Sequence, residues 1–429
     1  METRPAGTRP LETSAYIEQN AESLVALVKR LVDFRTPNPP GRNTTDAQRV
    51  IADYLRNLGA DVEMFDVFPG DPDVAAILRG SDGDRYHSIL LNGHIDVADA
   101  EPESAWTSPP YEANVRDGRI YGRGTADMKG AIAGFLFALQ AIRSAGAKLR
   151  GDVVFESVIG EEMGEIGTVA CNDRGYRADF AICGDISDME MHGQGGVITG
   201  WIDIRSPEVF HDAVRSRMIH AGGGVFGASA IEKMTKIIAG LQDLERHWAV
   251  MKSFPGISPG TTTINPAAIE GGRHPAFIAD SCSLWCTVHF LPDETYDGVV
   301  REVEEHIDRV AAADPWLREH PPTFRWGGRS MLVDKGEIFP GFVCDYDFPG
   351  ARLLEKVHHR VTGSPAVRGV SRSVTDGGWL AAAGIPTVLY GPGQITEAHA
   401  VNESVGVEEL VRYVRTIAET IETWCNTPR

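Results

Sequence analysis

Apolar residues recur at helical spacing from the start of the chain, and the pattern predicts its elements in turn. Over residues 15–34, Ile17, Leu24, Leu27, Val28 and Leu31 line one face of a helix. "TPNPPG" breaks the chain there, and residues 45–58 resume a helix that stops at Gly59. "DVEMFDV", "AAILRG" and "SILLNGHID" read as strands, "TADMKGAIAGFLFALQAIRSAG" as a tightly packed helix, and "GDVVFESVIG" as a further strand. Strands alternating with helices predict an α/β layer with a mixed, mostly parallel sheet.

After "DFAICGDISD" the texture changes. "GVITGWIDI" is a strand, "ASAIEKMTKIIAGLQDLERHW" a long amphipathic helix, and "TTTINPAAIEGG" and "SCSLWCTVHFLP" are strands. "YDGVVREVEEHIDRVAAA" then reads as a helix and "PTFRWGG" as a short strand. This β-α-β-β-α-β order predicts a small α+β, ferredoxin-like domain with helices on one face of an antiparallel sheet. Beyond about residue 330 the α/β pattern returns, with a helix over 350–362, the strand "IPTVLYG" and a last helix over 407–424. The reading is therefore an α/β domain formed by residues 1–193 and 331–429, with a second domain, 194–330, inserted into it.

Composition agrees. A chain of 429 residues exceeds one ordinary core, and 42% hydrophobic with 24% charged residues is a globular mixture. The formal net charge of −19 argues against nucleic acid or an anionic membrane as a partner. The six cysteines contain no CxxC pair, which fits a reducing compartment. No apolar run approaches the roughly 18 residues of a membrane span, and "METRPAGTRPLETS" lacks the apolar stretch of a secretion signal. The expected location is cytoplasmic.

Chemistry collects where an α/β sheet exposes polar groups, at the carboxyl ends of strands. "SILLNGHID" closes with His94 and Asp96, "RIYGRGTADMKG" places Asp127 in a turn before a helix, and "VVFESVIGEE" ends in Glu161 and Glu162. "DFAICGD" ends in Asp185, and "VLYGPGQITEAHAVNE" carries His399 beyond another strand. An isolated HxD or EE is usually a solvated surface pair; recurrence at successive strand ends lets one pocket hold them all. Imidazoles and carboxylates suit catalytic zinc, and the carboxylates of Asp127, Glu162 and Asp185 offset most of the charge of two dications. Two metals can share one carboxylate and act on one water. Glu161 is then left beside Glu162 to take that water's proton.

"NGHIDV", "GRGTADMKGAIAGF", "GEEMGEIGT", "ICGD" and "GPG…EAHAVNE", in this order, resemble the zinc amidohydrolase family of acetylornithine deacetylase, succinyl-diaminopimelate desuccinylase, aminoacylase and glutamate carboxypeptidase. The resemblance runs from about residue 17 to the C-terminus. It implies a zinc-peptidase-like catalytic domain with an inserted lid and dimerisation domain, two Zn²⁺ per chain (Co²⁺ substituting), and hydrolysis of the amide of a small N-acyl amino acid or amine. By the resemblance, Asp127 bridges the metals, His94 and Asp185 hold one, and Glu162 and His399 hold the other. Asp96 orients His94 from behind, Glu161 is the general base, and the Asp127–Met128 peptide is cis. Glu165, in the same motif, is left to solvent.

The resemblance also implies a lid histidine that reaches into a partner's site, and hence a homodimer through the lid. His220 in "IHAGGGVFGASAIEKM" is favoured for it over His211. Asn265, Gly391 and Gly393 match substrate-contacting positions. One departure concerns substrate: "HFLP" places His289 where relatives carry an arginine that clasps a free carboxylate, and a neutral imidazole lacks the guanidinium fork. A dipeptidase or carboxypeptidase on the same scaffold, and a metal-binding module without catalysis, are the rival readings.

Overall fold

The structure is a computed structural model that describes residues 9–218 and 224–429. It divides into two compact units. One comprises the chain up to Gln194 together with Phe342–Arg429, and the other is Gly195–Gly341.

The first unit opens with helices α1 (Arg9–Gln19), α2 (Ala21–Val32) and α3 (Thr45–Asn57). Strands β1 (Asp61–Phe68), β2 (Asp71–Leu78), β3 (Ile89–His94), β4 (Asn114–Arg116) and β5 (Arg119–Tyr121) follow. Next come α4 (Lys129–Ser144), β6 (Val153–Val158), α5 (Gly167–Asp173), β7 (Phe180–Cys183) and β8 (Met191–Gln194). The second unit contains β9 (Gly196–Arg205), α6 (Ala230–Met251), β10 (Ile264–Gly271), β11 (Ser281–Phe290), α7 (Tyr296–Ala312), α8 (Pro315–Glu319), β12 (Thr323–Trp326) and β13 (Ile338–Phe339). The first unit is completed by α9 (Pro349–Thr362), β14 (Arg368–Ser371), α10 (Gly377–Ala382), β15 (Thr387–Leu389), β16 (Ser404–Gly406) and α11 (Val407–Trp424).

The first unit is built on an eight-stranded sheet in the order β1-β2-β6-β3-β7-β15-β8-β14. Its centre is parallel: β3 pairs with β6 and β7, and β7 with β15. Antiparallel pairing is confined to β1–β2, β2–β6 and the β15–β8 contact. Strands buried on both faces read as continuous apolar runs, and every residue of β3 and β6 is buried. Helix α4 is apolar almost all round because it lies inside the structure, between β3 and helices α2 and α11. Phe135 of α4 meets Tyr413 of α11 with ring centroids 5.8 Å apart.

The second unit is an antiparallel sheet ordered β10-β11-β9-β12, with β13 also pairing β9. Alternate residues Ile198, Ile202 and Ile204 of β9 and Cys282, Leu284, Cys286 and Val288 of β11 join α6 and α7 in one core. The indole rings of Trp201 and Trp285, directly paired across β9 and β11, stack on the opposite face. Because β13 completes the edge of β9 beyond β12, this unit extends to Gly341 rather than ending near residue 330. The chain re-enters the first sheet where Phe342 exchanges two backbone hydrogen bonds with Gln194.

Residues 15–34 do not form one helix. Asn20 separates α1 from α2, its backbone and side-chain amides both donating to the Tyr16 carbonyl. Strands β8 and β14 lack a sequence signal of their own because they are short and carry glycines. Among the described residues, no helix is long and apolar enough to cross a membrane. Phe135 is fully buried; replacing it with Ala is expected to destabilise the first unit by about 3–5 kcal/mol. A lower urea midpoint, followed by circular dichroism, checks this.

Candidate metal centre

Because β6, β3, β7 and β15 run parallel and adjacent, their carboxyl ends share one edge of the sheet. His94 ends β3, Glu161 and Glu162 follow β6, Asp185 follows β7, and His399 lies in the segment after β15. Asp127 enters from the turn before α4, and its peptide bond to Met128 is cis. His94 Nε2 lies 3.2 Å from Asp127 Oδ1 and 3.9 Å from both Glu161 Oε2 and Asp185 Oδ2. His399 Nε2 lies 2.8 Å from Glu162 Oε2 and 3.5 Å from Asp127 Oδ2. Asp127 thus stands between the two imidazoles. Two potential ligand sets overlap at His94: one with Glu161 and Asp185, the other with Asp127 and Glu162, the atoms of each within 4.8 Å of one another.

Four carboxylates this close, and out of water, oppose one another's ionisation. Burial, together with the charge of Asp127, pushes Asp185 up to about 8. Burial also carries Glu161 well above the usual carboxylate range, against the pull of His94. Glu162 rises for the same reason, with Asp127's charge adding to it. Burial alone would lower His94, but Asp127 and Asp96, then Glu161 and Asp185, raise it well above its usual value. His399 is pushed up to about 9, chiefly by its hydrogen bond to Glu162. Glu162 Oε1 is buried with no hydrogen-bond partner. Clustered anionic oxygens, imidazole nitrogens and an orphaned carboxylate oxygen are the donor set of a pair of divalent cations, and the residues fit that group.

The turn carrying Glu161 and Glu162 is bounded by Gly160 and Gly164, both with positive φ. A Cβ on Gly160 would come within 2.3 Å of Glu165 Cβ, so only glycine fits. Asp96 does more here than the sequence suggested. Its backbone carbonyl lies 2.9 Å from His94 Nδ1, whereas its carboxylate is 3.6 Å away. The carboxylate instead accepts hydrogen bonds from the Gly160 and Glu162 amides, at 2.8 and 3.2 Å. Asp96 therefore orients His94 through its main chain and the Glu161–Glu162 turn through its side chain. Glu165 does not face solvent: its side chain is 0% exposed and clasped by Arg42.

The remaining sequence candidates are not among the clustered side chains. Asn265 and His289 lie on β10 and β11 of the second unit, both exposed, Asn265 opposite Thr287. His211 caps the turn over Asp212–Arg217, its Nδ1 accepting from the Ala213 amide. His220 lies outside the described residues. Gly391 and Gly393, the substrate-contacting positions of the resemblance, have their backbone groups hydrogen-bonded to neighbouring segments. The Gly391 amide donates to Ser187 Oγ and the Gly393 amide to Glu409. The Gly391 and Gly393 carbonyls accept from the Met189 and Asp188 amides. A Cβ on Gly391 would meet the Gly184 and Asp185 carbonyls at 2.1 and 2.2 Å, so this glycine lets the chain pass behind Asp185.

Residues 90–423 match the model of peptidase family M20/M25/M40. The chain belongs to this family. It is 56% identical, over 97% of its own length and 97% of the relative's, to an N-formyl-4-amino-5-aminomethyl-2-methylpyrimidine deformylase of Halalkalibacterium halodurans. A deformylase of the same name from Bacillus subtilis is 54% identical over 96% of each chain. Among solved structures, a dinuclear metal-binding M20 peptidase of Bacillus subtilis superposes with a TM-score of 0.64 at 16% identity, covering 95% of this chain and 98% of that one. Family membership makes the protein a metal-dependent hydrolase acting on linear amides.

This M20 hydrolase braces the cluster with residues the sequence left without roles. The carboxylate of Glu403, fully buried, accepts from the amides of Gly124, Ala126 and Asp127. It also pairs with Arg123 at 2.7 Å, and Arg123 in turn donates to the His399 carbonyl. One buried ion pair thus fixes the backbone at both Asp127 and His399. Both residues stand inside recognisable motifs, but only the tertiary contacts reveal their use. Asp376, buried at the start of α10, had no sequence signal; burial pushes it up to about 7, against the pull of His94. Glu403→Gln presents an amide to four donors. It is expected to weaken metal binding about 10–100-fold, measured by competition with a chromogenic chelator.

Proposed function

We propose that this enzyme is a deformylase that frees a primary amine from a small N-formyl aminomethylpyrimidine. The substrate class is that of N-formyl-4-amino-5-aminomethyl-2-methylpyrimidine. The observation that carries the reading is the 56% identity, across nearly the whole chain, to a deformylase of that name. His289 supports it. Partial desolvation lowers this imidazole's pKa, and a group without the fixed charge and fork of a guanidinium suits a substrate without a carboxylate better than a peptide terminus or acyl-amino acid. The peptidase reading has no equivalent support.

His94, Asp127, Asp185, Glu162 and His399 would hold two Zn²⁺, with Co²⁺ able to substitute. When bound, the metal pair supplies Lewis acidity toward the formyl carbonyl and toward water. The chain does the rest. Glu161, desolvated beside the cluster, accepts a proton from the attacking water. Water oxygen bonds to the formyl carbon, the C–N bond breaks, and Glu161 returns the proton to the departing amine nitrogen. The products are a primary amine and formic acid, and the acid's proton passes to the amine to leave formate and the ammonium ion. His94, oriented by the Asp96 carbonyl, keeps Nε2 toward the cluster. Asn265 and His289 are substrate contacts in this reading, and a lid histidine, His220 ahead of His211, supports the oxyanion in the partner's site. The assembly is a homodimer through the inserted unit, whose edge strand β10 leaves Ile269 52% exposed. A cytoplasmic location is supported by six free cysteines, all buried.

Purified protein is expected to contain about two divalent ions per chain and to lose turnover on chelation, with zinc or cobalt restoring it. Elemental analysis finding no metal would refute the mechanism. Glu161→Gln should keep its metal but lose about 10²–10⁴-fold in kcat. Formate release, measured on N-formyl aminomethylpyrimidine, N-acetylornithine and dipeptides in parallel with amine release, tests the substrate class. A preference for either of the last two would overturn the deformylase reading.

A further inference from the structure

The segment "NPPGR", residues 38–42, follows α2 and has no part in the ligand cluster. Arg42 adopts φ 62° and directs its guanidinium inward. Its two terminal nitrogens grip both oxygens of Glu165, at 2.7 and 2.8 Å. Its amide and Nη1 each reach Asp71 Oδ2 at 3.2 Å, and its plane lies 3.9 Å from the centroid of Phe68. Asn38 Nδ2 donates to Asp96 Oδ2 at 3.1 Å and reaches Glu165 Oε2 at 3.5 Å.

Glu165 closes the turn of the catalytic carboxylates: its amide donates to the Gly160 carbonyl at 2.8 Å, and its side chain lies against Gly160. Asp96 binds the amides of Gly160 and Glu162, the residues on either side of Glu161. The loop over 38–42 therefore holds both anions that shape the turn. We propose that Arg42, acting through Glu165, is a positioning residue for Glu161. The inference rests on Glu161 as the general base. A single cation fixing a buried carboxylate bidentately gives the turn one geometry, and a lysine cannot supply that fork. Displacing a reacting group by about 1 Å can cost on the order of 100-fold in rate.

Glu165→Gln is the informative variant, because it removes the charge while Arg42 keeps Asp71. Expected are a fall in kcat of about 10–100-fold, KM within about twofold, and unchanged metal content. Arg42→Lys should fall in between. The Arg42→Gln/Glu165→Gln double variant should be no slower than the slower single one, since both break one link. Amide hydrogen exchange of metal-free protein gives a second readout: the peptide over residues 159–166 should exchange faster in Glu165→Gln, and that over Ile89–His94 should not. Wild-type kcat in Glu165→Gln, or faster exchange throughout the first unit with loss of metal, would overturn the proposal. If Glu165→Gln does not fold, the same readouts on Arg42→Lys decide. The assay uses whichever amide the wild-type enzyme hydrolyses. A failed deformylase reading then shows as a wrong substrate, while the exchange result still tests the clamp.

Discussion

Four carboxylates meet two imidazoles at the carboxyl ends of adjacent parallel strands, and the mutual repulsion of the largely buried carboxylates is the constraint on which the rest depends. Taken alone, such a cluster drives Glu161, Glu162 and Asp185 toward the neutral acid. Paired with divalent cations, the same repulsion becomes binding energy, because each anion gains a counter-charge in a medium that screens poorly. The sheet has to hold these groups together before a cation arrives. That requirement accounts for the hydrogen bonds behind them.

The supporting residues work on the main chain more than on the ligand side chains. Glu403 collects the amides of Gly124, Ala126 and Asp127, while Arg123 neutralises it and anchors the His399 carbonyl. Asp96 does the same for Gly160 and Glu162. Glu403 and Asp96 are thus paired with a cation or with several N–H donors, as a desolvated charge must be. Close backbone approach at Gly391 and the positive φ of Gly160 let these turns pack without side chains intervening. The positive φ of His399 itself, 58°, is a strained conformation for a non-glycine residue, held at the point where its ring meets Glu162.

The inserted unit meets a different demand. Its sheet has one face on α6 and α7 and an opposite face carrying Trp201, Trp285 and Thr287, beside Asn265 and His289 at its edge. Alternation along β9 and β11 enforces this division, since each strand sends successive side chains to opposite faces.

Periodicity, breakers and strand-end polar residues determined the α/β class, the inserted α+β unit and the six side chains of the centre, because each is a local pattern repeated at every strand. They did not determine that Asn20 splits the first helix, that β13 carries the inserted unit to Gly341, or that β8 and β14 extend the sheet. Nor could they assign Glu165, which looks like a surface acid in "GEEMGEIG" and is buried, clasped by Arg42 from 123 positions away. Asp96, Arg123 and Glu403 sat in readable motifs, yet their work is done on backbone amides and carbonyls contributed by other segments. A residue's chemistry is written in its own neighbourhood; its partners are set by which distant strands the fold brings together.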